Sequence, residues 1–458
     1  MADRSHSHPN RRTFLKGALA TGALIGAPDI VRMRTSAAHA AHPSSLQANG
    51  TLAATADVRA RDWHTLPRND GSTIEAAASD ADGDLQLLRN ADGSFQSSRT
   101  FVSEVQRVPG RFNMVAMHWV ADLPSGTTIA VEVRSSQDGQ QWSGWSQVGH
   151  EIEAREQRAT PSSYETYTDP VELGRASMMQ YRIILGTGDP SVSPTVHRVT
   201  ATQIDALDAP TLADLDARGQ AIPFRVGNGG APTARLILRD GPNGWGPGYI
   251  APDDPRYWPP YTGQYLFQFV TIHHTAGANN PENPVATLRA IWYYHAIYLG
   301  WGDIGYHFLV DQYGNVYQGR DGGDGTEAGH VYRYNHYNCG VCLLGQFQPG
   351  ARDVPYPGGE PTREALDSAM RMAALESAYH GFNPLEQHAY PKPSDWCRPK
   401  LTNYRVCGHR DWGRAGSCVA TACPGDNVYK HLPSIRQQAA ALIPQIKDFH
   451  LMEILNRK

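Results

Sequence analysis

The candidate metal ligands of this chain come from segments that are far apart in the sequence. His273 and His274 follow the apolar run Phe-Gln-Phe-Val-Thr-Ile, His409 lies in Cys-Gly-His-Arg-Asp more than a hundred residues later, and Cys423 lies in Thr-Ala-Cys-Pro-Gly. Two imidazoles and a thiolate form a ligand set that zinc accepts. Three protein ligands leave the fourth tetrahedral position open, as in catalytic rather than structural zinc sites. A fold for this chain therefore has to bring these distant segments together.

Between these segments, residues 301–308 (Trp-Gly-Asp-Ile-Gly-Tyr-His-Phe) place Tyr306 at the start of an apolar strand. The motifs His-His-Thr, Asp-Ile-Gly-Tyr-His-Phe, Gly-His-Arg-Asp and Thr-Ala-Cys-Pro-Gly, in this order, resemble the peptidoglycan recognition protein and phage-type amidase family. The resemblance runs from about Leu236 to about Lys430, under half of the chain. It implies an α/β domain whose central mixed sheet is flanked by helices. It also implies a zinc N-acetylmuramoyl-L-alanine amidase, which cuts the amide between N-acetylmuramic acid and L-alanine in peptidoglycan.

The resemblance also implies which residues bind the metal, namely His273, His409 and Cys423. Side chains alternate faces along a strand, so only one of the two adjacent histidines should face the metal. His274 is the alternative, and we group it with the candidate substrate-binding residues. Cys423 follows His409 by fourteen residues, farther than is usual in the family, whereas Cys418 follows it by nine. Only Cys423 has the flanking Thr and Pro-Gly of the motif, so we expect an insertion that loops out before it.

Four further residues match positions of the family motifs. Tyr306 matches the catalytic tyrosine, whose hydroxyl is suited to stabilising an oxyanion or positioning a water molecule; a packed strand tyrosine is the alternative. Thr421 matches a position that assists the tetrahedral intermediate. His330 and Asn335 resemble groove residues that contact the muropeptide, but both could equally be hydrogen bonders that stabilise their loop.

Hydrophobic periodicity predicts how the C-terminal half folds locally. An apolar strand over 267–273 delivers its last histidine to the sheet edge, and a helix over 284–299 has apolar residues at helical spacing. His295 lies on the apolar face of that helix, which favours a core histidine over a metal ligand. A second helix should begin after Thr362, a plausible N-cap, and end near residue 379.

The N-terminal half has a different pattern. Residues 61–203 alternate short apolar stretches with turn residues, which predicts an all-β sandwich. Trp142 and Trp145 are either a sugar platform or packing residues at a sheet edge. This region shows no second arrangement of acid, base or metal residues, so we expect a cell-wall-binding module that contributes no chemistry. Residues 204–233 form a linker or short helical connector, and 234–450 form the zinc amidase domain.

The first 40 residues resemble a twin-arginine signal peptide, with Asn-Arg-Arg-Thr-Phe-Leu-Lys, a short apolar stretch and an Ala-His-Ala cleavage site. We therefore expect export to the periplasm or cell wall and no stable membrane anchor. Six Lys or Arg against two Asp give this segment +4, so the remainder of a chain of net charge −4 carries −8. That charge argues against nucleic acid as a partner. All six cysteines lie beyond residue 338, and a disulfide is expected among Cys397, Cys407 and Cys418.

Two rival functions remain at this stage. Some relatives keep the groove, lose a metal ligand and bind peptidoglycan without cleaving it; the presence of Cys423 and Tyr306 argues against this here. A different zinc peptidase acting on cell-wall peptides is the second rival, because the ligand set alone does not name the scissile bond. The stem-peptide preference and the oligomeric state stay open.

Overall fold

The structure, a computed structural model, describes residues 84–148, 163–219, 221–227, 234–239, 245, 266–299, 301–322, 325–349, 358–391, 400–413, 419 and 421–456. The expected signal segment at 1–40 lies outside these residues, as do Cys397 and Cys418. Within the described ranges, no helix combines the length and the apolar character that crossing a bilayer requires.

The first sheet is antiparallel and lies between residues 98 and 204. Its strands in the described part of the chain are β1 (Ser98–Val102), β2 (Gln106–Asp122), β3 (Thr127–Ser136), β4 (Ser146–Gln147), β5 (Ser163–Tyr167), β6 (Val171–Thr187) and β7 (Thr195–Ile204). The N-terminal halves of β2 and β6 pair with each other. The C-terminal half of β6 pairs with β1 and β3, and that of β2 pairs with β5 and β7. Strands β1, β3 and β4 with the C-terminal half of β6 form one layer, and β5 and β7 with the C-terminal half of β2 form the other. The two layers enclose one apolar core, which confirms the predicted all-β sandwich.

The two tryptophans after β3 pack against arginine side chains. The guanidinium carbon of Arg134 lies 4.7 Å from the ring centre of Trp142 and 4.5 Å from that of Trp145, and that of Arg182 lies 4.6 Å from Trp145. Both tryptophans are half-buried. These contacts support the packing role over the sugar platform.

The second sheet is mixed, in the spatial order β16, β10, β13, β11, β12, β9, β8. The strands of this half, within the described residues, are β8 (Ala221–Pro223), β9 (Arg235–Ile237), β10 (Phe269–His274), β11 (Phe308–Val310), β12 (Val316–Gln318), β13 (Asn338–Leu343), the separate pair β14 (Gln387–Ala389) and β15 (Thr402–Tyr404), and β16 (Val406–Gly408). The central strands β16, β10, β13 and β11 are parallel, and β12 returns antiparallel beside β11. Parallel strands that share an edge direct the residues at their C-terminal ends to one place.

Helices cover both faces of this sheet. They are α1 (Leu212–Ala217), α2 (Pro284–Tyr293), α3 (Arg363–His380), α4 (Asp426–Tyr429), α5 (Leu432–Leu442) and α6 (His450–Leu455). Helix α3 begins as predicted, because Thr362 Oγ1 accepts a hydrogen bond from the backbone N–H of Ala365. The helix predicted over 284–299 is α-helical only to Tyr293 and continues as a π-helical turn, Tyr294–Tyr298.

Alternation along β10 separates the two faces of the sheet. Val270 and Ile272 belong to the apolar core that also contains the buried sides of α3 and α5. His273 points to the opposite face: it pairs with Cys342, which pairs with Leu309, and both of these belong to the apolar cluster around α2. The candidate metal ligands and α2 therefore share one face.

Strand β2 joins the two sheets through the alternation of its side chains. Val115 and Met117 lie in the sandwich core, whereas Met114 and Ala116 belong to the apolar cluster around α2. The segment 204–233, expected to be a connector, contains α1 and also β8, the edge strand of the second sheet. The two sheets thus share a hydrophobic cluster.

Candidate metal centre

His273, His409 and Cys423 come together beyond the ends of two neighbouring strands. His273 lies near the end of β10, and His409 begins the 3₁₀ turn that follows β16, the parallel neighbour of β10. One ligand atom from each of the three residues lies within 4.8 Å of the other two. The two imidazole ring centres are 4.6 Å apart, and Cys423 Sγ lies 3.5 Å from His273 Nδ1. The side chains are buried, so the structure contains a compact site able to hold a metal ion.

A chain of hydrogen bonds sets the tautomer of His273. His330 Nε2 lies 2.9 Å from the carbonyl oxygen of Asn338, which can only accept, so this nitrogen carries the proton. His330 Nδ1 then accepts from His273 Nε2–H across 2.9 Å. His273 Nδ1 is therefore unprotonated and faces Cys423 Sγ, with its lone pair available to a metal.

His330 can lie behind His273 because residue 340 is a glycine. A Cβ at Gly340 would be 2.7 Å from atoms of the His330 ring. His330 is only 2% exposed. The side-chain oxygen of Asn335 accepts from the backbone N–H groups of His330 and Val331, at 2.9 and 2.7 Å. Of the two roles considered for His330 and Asn335, these contacts support the stabilising one: His330 orients His273, and Asn335 stabilises its loop. Their contact with a muropeptide stays a prediction.

Three backbone contacts fix Cys423. Its N–H donates to Thr421 Oγ1 at 3.0 Å, and its carbonyl accepts from the N–H of Arg410 at 2.9 Å. The backbone N–H of His274 points at Cys423 Sγ from 3.3 Å. An N–H directed at sulfur favours the thiolate, which is the form that binds metals. Thr421, predicted to be catalytic, is half-buried beside this ligand.

His274 lies on the other face of β10 from His273, as alternation requires. Its Nδ1 accepts from the backbone N–H of Phe347 at 3.3 Å, and the side chain is buried. The structure therefore gives His274 an internal contact, and its role in binding substrate stays a prediction.

Burial keeps the imidazoles of this centre neutral. Desolvation lowers the pKa of His274, His330 and His409 to about 3, with smaller effects from Arg410 on His274 and from His274 on His409. Desolvation, then the neighbouring His409 and His330, place the pKa of His273 well below its usual value. Because a metal binds the neutral imidazole, protons offer little competition here.

Tyr306 closes one side of the centre. Its ring centre is 5.3 Å from that of His273, and the residue is 5% exposed. The segment before it is anchored by Asp303, whose carboxylate accepts from the backbone N–H of Ile304 and of Asp321, at 2.7 and 2.8 Å. It also accepts from Trp292 Nε1 at 2.9 Å and pairs with the buried Arg239.

Asp303 is the first residue of the motif Asp-Ile-Gly-Tyr-His-Phe, but the sequence pattern did not predict this role. The same holds for Asp411, which accepts from the backbone N–H of Gly408 and the hydroxyl of Tyr429, at 2.9 and 2.6 Å. An aspartate within a motif that also carries a candidate site residue is the signal that could have identified both residues.

Cys407, one of the cysteines expected to form a disulfide, is a free thiol. It lies 3.6 Å from Thr271 Oγ1, and burial raises the pKa of its thiol. This corrects the prediction for Cys407; Cys397 and Cys418 are outside the described residues.

Two neutral imidazoles and a thiol form a mixed nitrogen and sulfur donor set, which fits zinc better than magnesium or calcium, since those ions prefer oxygen ligands. The described residues supply three donors, one fewer than a closed structural zinc site has.

Two family models match separate parts of the chain. Residues 263–426 match the family described as N-acetylmuramoyl-L-alanine amidase, and residues 68–203 match the family described as Rv3811 N-terminal galactose-binding domain-like. Solved structures similar to the chain include PGRP-LB of Drosophila, with TM-score 0.31 and 23% identity over 44% of this chain and 94% of that one. Another is N-acetylmuramoyl-L-alanine amidase LysC from Clostridium intestinale, with TM-score 0.29 and 17% identity over 45% and 97%.

Curated relatives are similar in sequence. The chain is 39% identical over 125 residues to peptidoglycan-recognition protein SC1a/b of Drosophila simulans, covering 27% of this chain and 64% of that protein. It is 38% identical over 166 residues to peptidoglycan-recognition protein SC2 of the same organism, covering 36% and 71%. It is 28% identical over 170 residues to peptidoglycan recognition protein 1 of Mus musculus, covering 36% and 74%. The chain thus spans less than two thirds of the first relative's length and more than two thirds of the other two.

Proposed function

Because the chain belongs to the peptidoglycan recognition protein family, we propose that it is a zinc-dependent N-acetylmuramoyl-L-alanine amidase acting on peptidoglycan. The reaction adds water across the amide between the lactyl group of N-acetylmuramic acid and L-alanine. The C–N bond breaks, and the products are a carboxylate on the sugar and a peptide with a free alanine amino terminus.

One observation carries this proposal: a complete, buried ligand set stands beside a tyrosine. His273, His409 and Cys423 bring their ligand atoms within 4.8 Å of one another, and the ring of Tyr306 lies 5.3 Å from that of His273. A protein that only binds peptidoglycan needs neither the three ligands nor the tyrosine. This retention supports catalysis over the non-catalytic alternative.

Different residues of the site have different roles in the proposed hydrolysis. His273, His409 and Cys423 would hold Zn²⁺, which when bound would polarise a carbonyl and lower the pKa of its bound water to about 7. His330 holds His273 in the tautomer whose Nδ1 is the ligand atom. The hydroxyl of Tyr306 can donate to the oxygen on which negative charge develops. Thr421 Oγ1 accepts from the N–H of Cys423, which leaves its own O–H able to donate toward the same oxygen.

The N-terminal part of the chain fits an enzyme of the cell wall. We propose that residues 1–40 direct export by the twin-arginine route to the periplasm or the outside of the cell. The sandwich, whose residues match a galactose-binding domain-like family, then adds contact with the wall. Wall polymers are repetitive, so a weak second contact raises the local enzyme concentration.

Product analysis tests the reaction. Purified full-length protein is incubated with a soluble muropeptide, with zinc content measured in parallel and Cys423→Ala as the control. A new alanine amino terminus in the wild type, absent with Cys423→Ala and after chelation, supports the amidase. Unchanged muropeptides with measurable binding would instead indicate a recognition protein, and a cut within the stem peptide would indicate a peptidase.

A further inference from the structure

A histidine of the second half of the chain bonds to a carboxylate of the sandwich. His295, in the π-helical turn after α2, is 3% exposed, and its Nε2 lies 3.2 Å from Oδ1 of Asp169. Asp169 lies between strands β5 and β6, and its side chain is 12% exposed. The backbone N–H of Gly305 donates to His295 Nδ1 at 3.1 Å, so this nitrogen carries no proton. His295 Nε2 therefore holds the proton and donates it to Asp169.

The same ring determines where the segment of Tyr306 can lie. The ring centre of His295 is 5.9 Å from that of Tyr306 and 4.7 Å from that of Trp301. At Gly305, a Cβ would be 3.3 Å from His295 Nδ1 and 2.6 Å from the carbonyl oxygen of Gly329. The backbone just before Tyr306 thus packs closely between an imidazole and a carbonyl, with no space for a side chain at residue 305.

The carboxylate of Asp169 forms its hydrogen bond with this histidine rather than with a residue of the sandwich. Its second oxygen, Oδ2, is buried and accepts no hydrogen bond from the described residues. A buried carboxylate oxygen without a hydrogen-bond donor lowers the stability of the fold. The stability of the sandwich alone would therefore not favour an aspartate at residue 169.

We propose that Asp169 is a positioning residue for Tyr306, so that the N-terminal sandwich completes the active site. Asp169 holds the Nε2–H tautomer of His295, His295 Nδ1 holds Gly305, and Gly305 places the hydroxyl of the next residue. This proposal rests on the proposed function and goes beyond the expectation of a wall-binding module that contributes no chemistry.

Kinetics of the full-length protein on a small soluble muropeptide test the proposal, because such a substrate makes no use of wall binding. Asp169→Ala should lower kcat about tenfold, the loss expected for one hydrogen bond that orients a catalytic group, with KM changed less than about twofold. Asp169→Asn keeps an acceptor for His295 and should stay within about threefold of the wild type. The matched control is Asp84→Ala, which removes a carboxylate paired with His197 at 2.7 Å inside the sandwich, and it should leave kcat unchanged.

A double-mutant cycle separates positioning from general destabilisation. If Asp169 acts through Tyr306, Asp169→Ala should cost nothing further in a Tyr306→Phe background. An equal loss in both backgrounds, a wild-type kcat for Asp169→Ala, or an Asp169→Asn variant as impaired as the alanine variant would overturn the proposal.

Hydrogen exchange gives a readout that does not need catalysis. The amide of Gly305 should exchange faster in Asp169→Ala than in the wild type or Asp84→Ala, even if the protein proves not to hydrolyse muropeptides. Failure of the proposed function would appear as an inactive wild type. Failure of the positioning proposal would appear as unchanged exchange at Gly305.

Discussion

Replacing His330 with alanine should weaken zinc binding without touching a metal ligand. The substitution removes the acceptor of the His273 Nε2–H bond, which is 2.9 Å long and lies among buried residues. A buried donor left without a partner costs about 1–3 kcal/mol. Removing a residue that orients a metal ligand typically lowers metal affinity about 10- to 100-fold, which corresponds to about 1.4–2.7 kcal/mol. The two estimates agree, so we expect the zinc Kd to rise by this factor.

The assay is a competition titration against a chromophoric zinc chelator at fixed pH. His307→Ala is a matched control: His307 is also buried, its Nε2–H donates to the carbonyl of Thr326 at 2.7 Å, and its Nδ1 accepts from Gly340 N–H at 2.9 Å. Its ring centre lies 5.4 Å from that of His330, so the two histidines are buried in the same part of the core. An unchanged zinc Kd in a folded His330→Ala protein, or an equal loss in His307→Ala, would refute the orienting role.

Three further predictions concern single residues. Cys423→Ala should abolish bound zinc and hydrolysis whereas Cys418→Ala keeps both, as metal analysis of the purified variants will show; the reverse result would reassign the thiolate ligand. Tyr306→Phe should keep the fold and the zinc but lower kcat about 10²–10³-fold, and wild-type turnover would remove the tyrosine from the mechanism. Glu172→Gln should raise Tm at pH 7.5 and not at pH 4. Burial and the nearby Glu282 raise the pKa of the Glu172 carboxyl above its ordinary value of 4.5. Its charged form therefore disfavours folding at the higher pH, whereas at pH 4 the carboxyl is largely protonated. A gain of equal size at both pH values would exclude charge as the cause.

Local sequence patterns predicted the elements that carry the ligands. The apolar run before His273 is strand β10, and the N-cap at Thr362 begins α3. The core position of His295 is also confirmed, since helical spacing alone places it on the apolar face of its helix. These features depend on residues a few positions apart, which is the range over which periodicity and capping act.

Such local patterns could not predict the contacts between segments that are distant in the sequence. His330 reaches His273 only because the register of β10 and β13 places Gly340 below its ring, and no spacing in the sequence encodes that register. The bond from His295 to Asp169 joins residues 126 positions apart. Family motifs did not help here, because the resemblance begins near residue 236, after Asp169.

One hydrophobic cluster contains both Met114 of the sandwich and the buried side of α2, so the boundary between the two halves of the chain does not separate two independent cores. In a protein assembled from exchangeable domains, each domain has its own core and a polar surface. Here Leu288 and Ile291 on α2 are buried in the same cluster as Met114, so the C-terminal half shares an apolar surface with the sandwich. Recombination that moves this half to another partner would have to bring a matching β-surface or replace that face with polar side chains. The pair of sheets, rather than either one, is therefore the unit that evolution or an engineer can transfer.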